Sequence, residues 1–97
     1  MKLKVAKKLN VLGMWLTVKK VKGLIAHHGK YGLNIGHEDV ILIDTDATEA
    51  RQIKCMHHEV IHQWDSEMGW GLDEAMIEQL ETCLNQYIVD NLGRMVE

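Results

Sequence analysis

The chain has 97 residues, the length of one typical domain, and its 46% hydrophobic and 26% charged residues are ordinary globular values. This composition excludes a disordered tail, and the apolar runs are far shorter than the roughly 20 residues that a membrane helix needs. The lysine-rich N-terminus does not have the pattern of a secretory signal, and two cysteines do not make a disulfide scaffold. We therefore expect a single domain over residues 1–97, soluble and cytoplasmic, without a membrane partner.

Charge divides the chain into a basic and an acidic part. Residues 1–37 contain eight lysines and no acidic residue, whereas residues 38–97 contain all fourteen acidic residues and three basic ones. A basic half could contact nucleic acid, but neither a recognition helix nor interleaved aromatic residues accompany the lysines. Lysines on strands also prevent edge-to-edge pairing. We therefore interpret them as solvent-facing and expect no nucleic-acid partner.

The N-terminal part of the chain has the pattern of β-strands. Apolar residues alternate with lysines near the N-terminus, and residues 15–21 are rich in β-branched side chains with a period of two. Residues 23–37 contain four glycines and predict loops, with a short helix or strand at 24–28. Residues 40–44 are the clearest strand. The strands are therefore expected within residues 2–44.

The remainder of the chain has helical periodicity. Asp46 and Glu49 resemble a capping box, and apolar residues at helical spacing predict a helix over 47–64. A second helix is predicted over 73–91, with Asp73 as its N-cap and Gly93 after its end. Strands followed by helices indicate an α+β fold. We expect a small antiparallel sheet of three or four strands packed against two helices.

The first predicted helix contains His58-Glu59-Val60-Ile61-His62, an H-E-x-x-H motif. Residues four apart lie on one helix face, so both imidazoles could bind one Zn²⁺. Glu59 could then take a proton from the zinc-activated water as it attacks a carbonyl. On a helical wheel His58 and His62 lie off the core stripe, whereas His57 lies on the core face and is interpreted as an interior histidine. The simpler alternative is a pair of surface histidines that bind no metal.

A catalytic zinc usually has three protein ligands, and the second helix offers Glu74, Glu78 and Glu81. The helical wheel of this second helix does not favour one of the three glutamates over the others. Glu74 is favoured because it follows the turn that returns the chain beside the first helix, with Glu78 as the alternative ligand or as the partner that orients a ligand histidine. Cys55 lies near the two histidines on the wheel, so that a closed structural site with Cys83 is a further alternative.

Three segments together resemble the ImmA/IrrE-type metallopeptidases, in particular their short phage and prophage members. These segments are residues 41–44, the motif at 58–62 followed by Asp65, and residues 72–78. The resemblance implies a gluzincin-like fold in which His58, His62 and Glu74 bind zinc and Glu59 is the general base. It also implies that strand 40–44 borders the cleft and holds a substrate segment by strand addition.

The sequence also departs from this family. Ala75 stands where similar short proteins tend to have an acidic residue, and no oxyanion stabiliser is evident. The polar candidates for that role are Tyr31, His27, His28 and His37. Family members act on regulatory proteins such as phage repressors, which implies a protein or peptide substrate of the repressor type.

Two hypotheses follow for the function. The first is a zinc-dependent metalloendopeptidase that hydrolyses a peptide bond in a specific, regulatory protein target. The second is a non-catalytic phage or prophage regulatory module that binds its partner and has a structural or vestigial zinc site.

Overall fold

The computed structural model describes residues 3–24 and 31–96. Its strands are β1 (Lys8–Val11), β2 (Met14–Val21), β3 (Gly32–Ile35) and β4 (Val40–Asp44), followed by the helices α1 (Glu49–Met68) and α2 (Glu74–Asn91). Short 3-10 turns occupy Gly36–Glu38 and Leu92–Arg94. The predicted α+β class is confirmed. No helix in the described ranges combines the length and the apolar composition needed to cross a membrane.

The four strands form one sheet in the order β1-β2-β4-β3. The β1–β2 and β3–β4 pairs are antiparallel, but β2 and β4 are parallel, so the sheet is mixed and not wholly antiparallel as predicted. A parallel pair requires a long crossover between its strands, and the chain from 22 to 39 supplies one. Strand β3 lies within that crossover and pairs with the side of β4 that faces away from β2.

The order of the strands corrects a second expectation. Since β4 is hydrogen-bonded to β2 on one side and to β3 on the other, it has no free edge for an added strand. The edges of the sheet are β1 and β3. Strand addition beside β4, as the family resemblance implied, is therefore excluded, and β3 is the edge strand on that side of the sheet.

The hydrophobic core lies between one face of the sheet and α1. Alternate residues of β2 and β4 point to this face, because side chains alternate between the two faces of a strand. Helix α1 contributes residues about one turn apart, which lie on the one side of the helix that packs against the sheet. The buried cluster consists of Val11, Leu16, Val18, Ile41, Ile43, Met56 and Val60. Each such side chain contributes roughly 1.5–3 kcal/mol by its burial, so this interface holds α1 in a defined position on the sheet.

Helix α1 begins and ends later than the sequence pattern predicts. Its N-cap is Thr48, whose hydroxyl oxygen accepts a hydrogen bond from the Arg51 N–H at 3.3 Å. The predicted capping box is wrong because the Asp46 N–H donates to the Asp44 carboxylate at 2.8 Å and belongs to the turn after β4. At the other end Gly69 adopts a φ of 65°, which glycine tolerates without strain, and the helix therefore stops after Met68.

The connection between the helices is short and brings α2 back beside α1. Asp65 accepts a hydrogen bond from the Leu72 N–H at 3.0 Å, and Asp73 caps α2 as predicted, accepting from the Met76 N–H at 2.8 Å. Among the described residues of α2, only Ile77 is buried, with 1% of its surface exposed. The short connection therefore returns the first turn of α2 to α1, and Ile77 provides its buried apolar side chain.

Candidate metal centre

A cleft of about 620 Å³ lies between α1, the start of β3 and the first half of α2. His58, Glu59 and His62 line it from the middle of α1, and Glu74 lines it as the first residue of α2. The two histidines are one helical turn apart, and their rings lie edge to face with centroids 4.9 Å apart. The fold therefore brings the motif and the favoured third ligand to one cleft.

The carboxylate of Glu74 lies against both imidazoles. Its Oε1 is 2.7 Å from His58 Nε2, and its Oε2 is 3.3 Å from His62 Nε2. The side chains of His58 and His62 are 17% and 32% exposed, so the nitrogens face an open cleft and not the core. Two Nε2 atoms and one carboxylate thus converge from two helices on a common point.

These donors fit a zinc ion by their chemistry. Two imidazole nitrogens and one carboxylate oxygen are the ligand set of many catalytic zinc sites, which leave a further position for water. The possible ligand atoms of His58, Glu59 and His62 also lie within 4.8 Å of one another. In this group the carboxylate is that of Glu59 and not that of Glu74. Glu74 is nevertheless the carboxylate whose oxygens contact both Nε2 atoms.

The second nitrogen of His58 faces another carboxylate. His58 Nδ1 is 3.2 Å from Glu81 Oε1, and the Lys54 ammonium is 3.3 Å from Glu81 Oε2. A carboxylate in this position accepts the Nδ1–H bond, fixes the ring and leaves Nε2 as the metal-binding nitrogen. Glu78 was the predicted partner for a histidine of the pair, but the carboxylate in contact with His58 Nδ1 is that of Glu81, whereas Glu78 lines the cleft. The sequence did contain a signal for Glu81. It lies seven residues after Glu74, which places both residues on one face of the helix, two turns apart.

Glu59 lies at the inner wall of the cleft and is 5% exposed. Edge strand β3 passes close to it because Gly32 has no side chain there. A Cβ on Gly32 would lie 3.5 Å from Glu59 Cγ and 3.2 Å from Cys55 Cβ. The side chain of Glu59 is therefore packed against β3 at its Cγ, and the residue still lines the cleft.

Asn34 joins β3 to α1 directly behind the motif. Its amide nitrogen donates to the Glu59 carbonyl at 3.1 Å and to Gln63 Oε1 at 3.2 Å. Gln63 is 4% exposed and donates in turn to the Glu67 carboxylate at 3.1 Å. Asn34 and Gln63 were not predicted, because their link depends on the packing of β3 across α1 and has no local signal in the sequence.

The cysteines do not complete a closed site. Among the residues that the structure describes, the group of convergent donors contains neither Cys55 nor Cys83. Both are free thiols, Cys83 being exposed. Burial, followed by the nearby carboxylates of Glu81 and Glu59, raises the pKa of the Cys55 thiol to about 11. The geometry favours an open site over the Cys₂His₂ alternative.

The remaining polar candidates are dispersed. Tyr31 lines the mouth of the cleft, whereas His37 lies in the turn after β3 with 82% of its side chain exposed. His27 and His28, together with most of the predicted element at 24–28, lie outside the described residues. His57 is half-buried and its Nδ1 lies 3.1 Å from Asn85 Oδ1. Burial lowers its pKa, and the Asn85 hydrogen bond acts in the opposite direction.

Comparison of the chain with protein-family models, with curated proteins and with solved structures found no match.

Proposed function

We propose that this protein is a zinc-dependent metallopeptidase that cleaves a peptide bond in a specific protein target. The observation that carries the proposal is the convergence of His58 Nε2 and His62 Nε2 on the Glu74 carboxylate, at 2.7 and 3.3 Å, inside an open cleft. A pair of unrelated surface histidines would not require a carboxylate from a second helix at their meeting point. The H-E-x-x-H spacing adds a further carboxylate at the same place.

Each residue has a distinct role in this proposal. His58, His62 and Glu74 hold the metal, and Glu81 fixes the ring of His58 through Nδ1. Bound zinc would supply Lewis acidity, which can lower the pKa of a coordinated water to about 7. Glu59 is the proton acceptor during attack on the carbonyl and afterwards returns the proton to the leaving amine.

The substrate in this proposal is an extended peptide segment beside β3. This edge strand begins at Gly32, which lines the cleft next to Glu59, and an edge can accept an added strand by backbone hydrogen bonds. The resemblance to ImmA/IrrE-type proteins suggests a repressor-type regulator as the target. The proposal includes a cytoplasmic location, because both thiols are free, as is usual in reducing compartments.

One observation favours the second candidate, a regulatory binding module with a structural or vestigial zinc site. Glu59 is only 5% exposed, so that access of its carboxylate to water is narrow in this conformation. A protein of this kind would bind zinc and its partner without turnover. The two candidates share the metal centre and differ in whether Glu59 transfers protons.

The first experiment measures zinc per chain in gently purified protein by elemental mass spectrometry. We expect about one zinc per chain in the wild type and in Glu59→Gln, and less than about a tenth in His58→Ala. The exposed histidine variant His37→Ala is the matched control and should retain the metal. Absence of zinc from the wild type, with no uptake when zinc is added, would refute the metallopeptidase and leave only a partner-binding module without a working zinc site.

A second experiment separates the candidates. Wild type and Glu59→Gln, both loaded with zinc, are incubated with a cell lysate of intact proteins, and new termini are identified by mass spectrometry. Cleavage by the wild type alone supports the peptidase. If zinc is bound and the two proteins produce the same termini as a blank, the binding module is the better description.

A further inference from the structure

The two ends of the cleft differ in charge. Around the candidate metal centre the lining side chains are acidic, while the only cations among the described lining residues, Arg51 and Lys54, lie toward the start of α1. Lys54 is engaged with Glu81 at 3.3 Å. The guanidinium of Arg51 lies over the ring of Tyr31, 4.8 Å from its centroid. Within the described part of the chain, no carboxylate is in ion-pair contact with Arg51.

The position of Arg51 relates it to the proposed path of a substrate. Arg51 precedes His58 by seven residues, so it lies on the same face of α1, about 10 Å away along the helix axis. Tyr31 immediately precedes β3, the edge strand of the cleft. An extended peptide advances about 3.3 Å per residue, so the third residue of a peptide that runs along α1 from the metal centre would reach Arg51.

We propose that Arg51 and Tyr31 form a subsite for a substrate carboxylate, about three residues from the scissile bond. This inference depends on the proposed function, and it adds the substrate class. The guanidinium presents paired N–H donors that match a carboxylate, while the ring of Tyr31 supports its face and limits its movement before binding. The first turn of α1 adds the positive end of a helix dipole. The carboxylate is either an acidic side chain or the C-terminus of the substrate.

The test measures the binding of peptide hydroxamates to the zinc-loaded protein by calorimetry, so that no turnover is needed. The hydroxamate binds the metal, and the peptide extends from either side of it with neutral ends. The probes carry Glu, Gln or Lys at the third residue, and one further probe ends there with a free C-terminal carboxylate. Acetohydroxamate, which has no peptide, reports the metal centre alone.

We expect the Glu probe to bind about tenfold more tightly than the Gln probe, the effect of one charged hydrogen-bonded pair. Arg51→Met should remove this preference, and Arg51→Glu should reverse it in favour of Lys. Arg94→Met, an exposed arginine in the turn after α2, is the matched control and should retain the preference. Arg51 is itself exposed, so these variants should fold, which circular dichroism checks.

The outcomes distinguish failure of the proposed function from failure of the subsite alone. If neither acetohydroxamate nor any peptide probe binds, the proposed function fails and the subsite fails with it. If acetohydroxamate binds and all four peptide probes, including the one with the free C-terminus, bind equally, only the subsite is wrong. Tighter binding of the free C-terminal probe than of the internal Glu probe supports the subsite and identifies a chain terminus as its ligand.

Discussion

The two ring nitrogens of His58 face two different carboxylates, and this division determines what the residue can do. Nε2 is directed to Glu74 at the centre of the cleft, and Nδ1 to Glu81 behind it. Glu81 is itself held by Lys54 and has only 13% of its side chain exposed. The ring is therefore fixed before a metal binds, which lowers the entropy that metal binding must remove.

Replacement of Glu81 by Gln should weaken zinc binding without removing a ligand. We expect a 10- to 100-fold lower affinity, roughly the effect of losing a carboxylate that orients a metal-bound histidine. Glu78→Gln, one turn away in the same cleft, should change the affinity by less than about threefold because Glu81 remains. Competition with a chromogenic chelator at neutral pH measures both. Equal losses in the two variants would contradict the role of Glu81.

At the scale of elements, the close approach of β3 to α1 shapes the cleft. Gly32 is the point of contact, since a Cβ there would meet the Cβ of Cys55 at 3.2 Å. That neighbour is attached directly to the helix backbone and cannot rotate away. Asn34 then holds the next part of β3 to the Glu59 carbonyl. Glycine and asparagine together therefore set the distance between the edge strand and the motif.

Gly32→Ala should destabilise the protein by about 1–3 kcal/mol, because the added methyl group forces β3 away from α1. Gly93→Ala is the matched control, since nothing lies within 4 Å of a Cβ at that position. We expect it to change the free energy of unfolding by less than about 1 kcal/mol. Urea unfolding of the metal-free proteins measures both changes. A Gly32→Ala variant as stable as the control would show that β3 can move without cost.

At the scale of the whole molecule, α2 is much less secured by the core than α1 is. Only Ile77 is buried among its described residues, whereas α1 contributes seven buried residues to the interior. Helices without a packed apolar face open readily. A metal held by His58 and His62 on one side and by Glu74 on the other would connect the two helices, so binding and the stability of α2 are expected to be coupled.

Zinc should therefore slow amide hydrogen exchange in α2 more than elsewhere. A ligand present at 100 times its dissociation constant stabilises the bound state by about 2.7 kcal/mol, which corresponds to roughly 100-fold slower exchange through openings that release the metal. Mass spectrometry of exchanged peptides, with and without zinc, resolves α2 from β1 and β2. In Glu74→Gln the protection of α2 should fall while His58 and His62 still bind metal weakly. Protection spread evenly over the chain, or unchanged in this variant, would contradict the connection.

Much of the fold could be predicted because its signals are local. The α+β class follows from a period of two before residue 45 and helical spacing after it, and Asp73 caps α2 because its side chain reaches a backbone N–H three residues away. Likewise, the spacing of His58 and His62 places both on one helix face whatever surrounds the helix. The candidate metal pair therefore follows from the amino-acid sequence alone.

Other features were decided only by the tertiary structure. The parallel pairing of β2 with β4 depends on the path of the crossover, and this pairing encloses β4 and leaves β3 as the edge. The choice of Glu81 over Glu78 depends on the rotation of α2 against α1, which a helical wheel drawn for one helix does not contain. Sequence determines the contacts within a helix or strand, because these need only neighbouring residues. Contacts between elements form after the chain has closed its loops, so their partners are set by packing of the whole molecule.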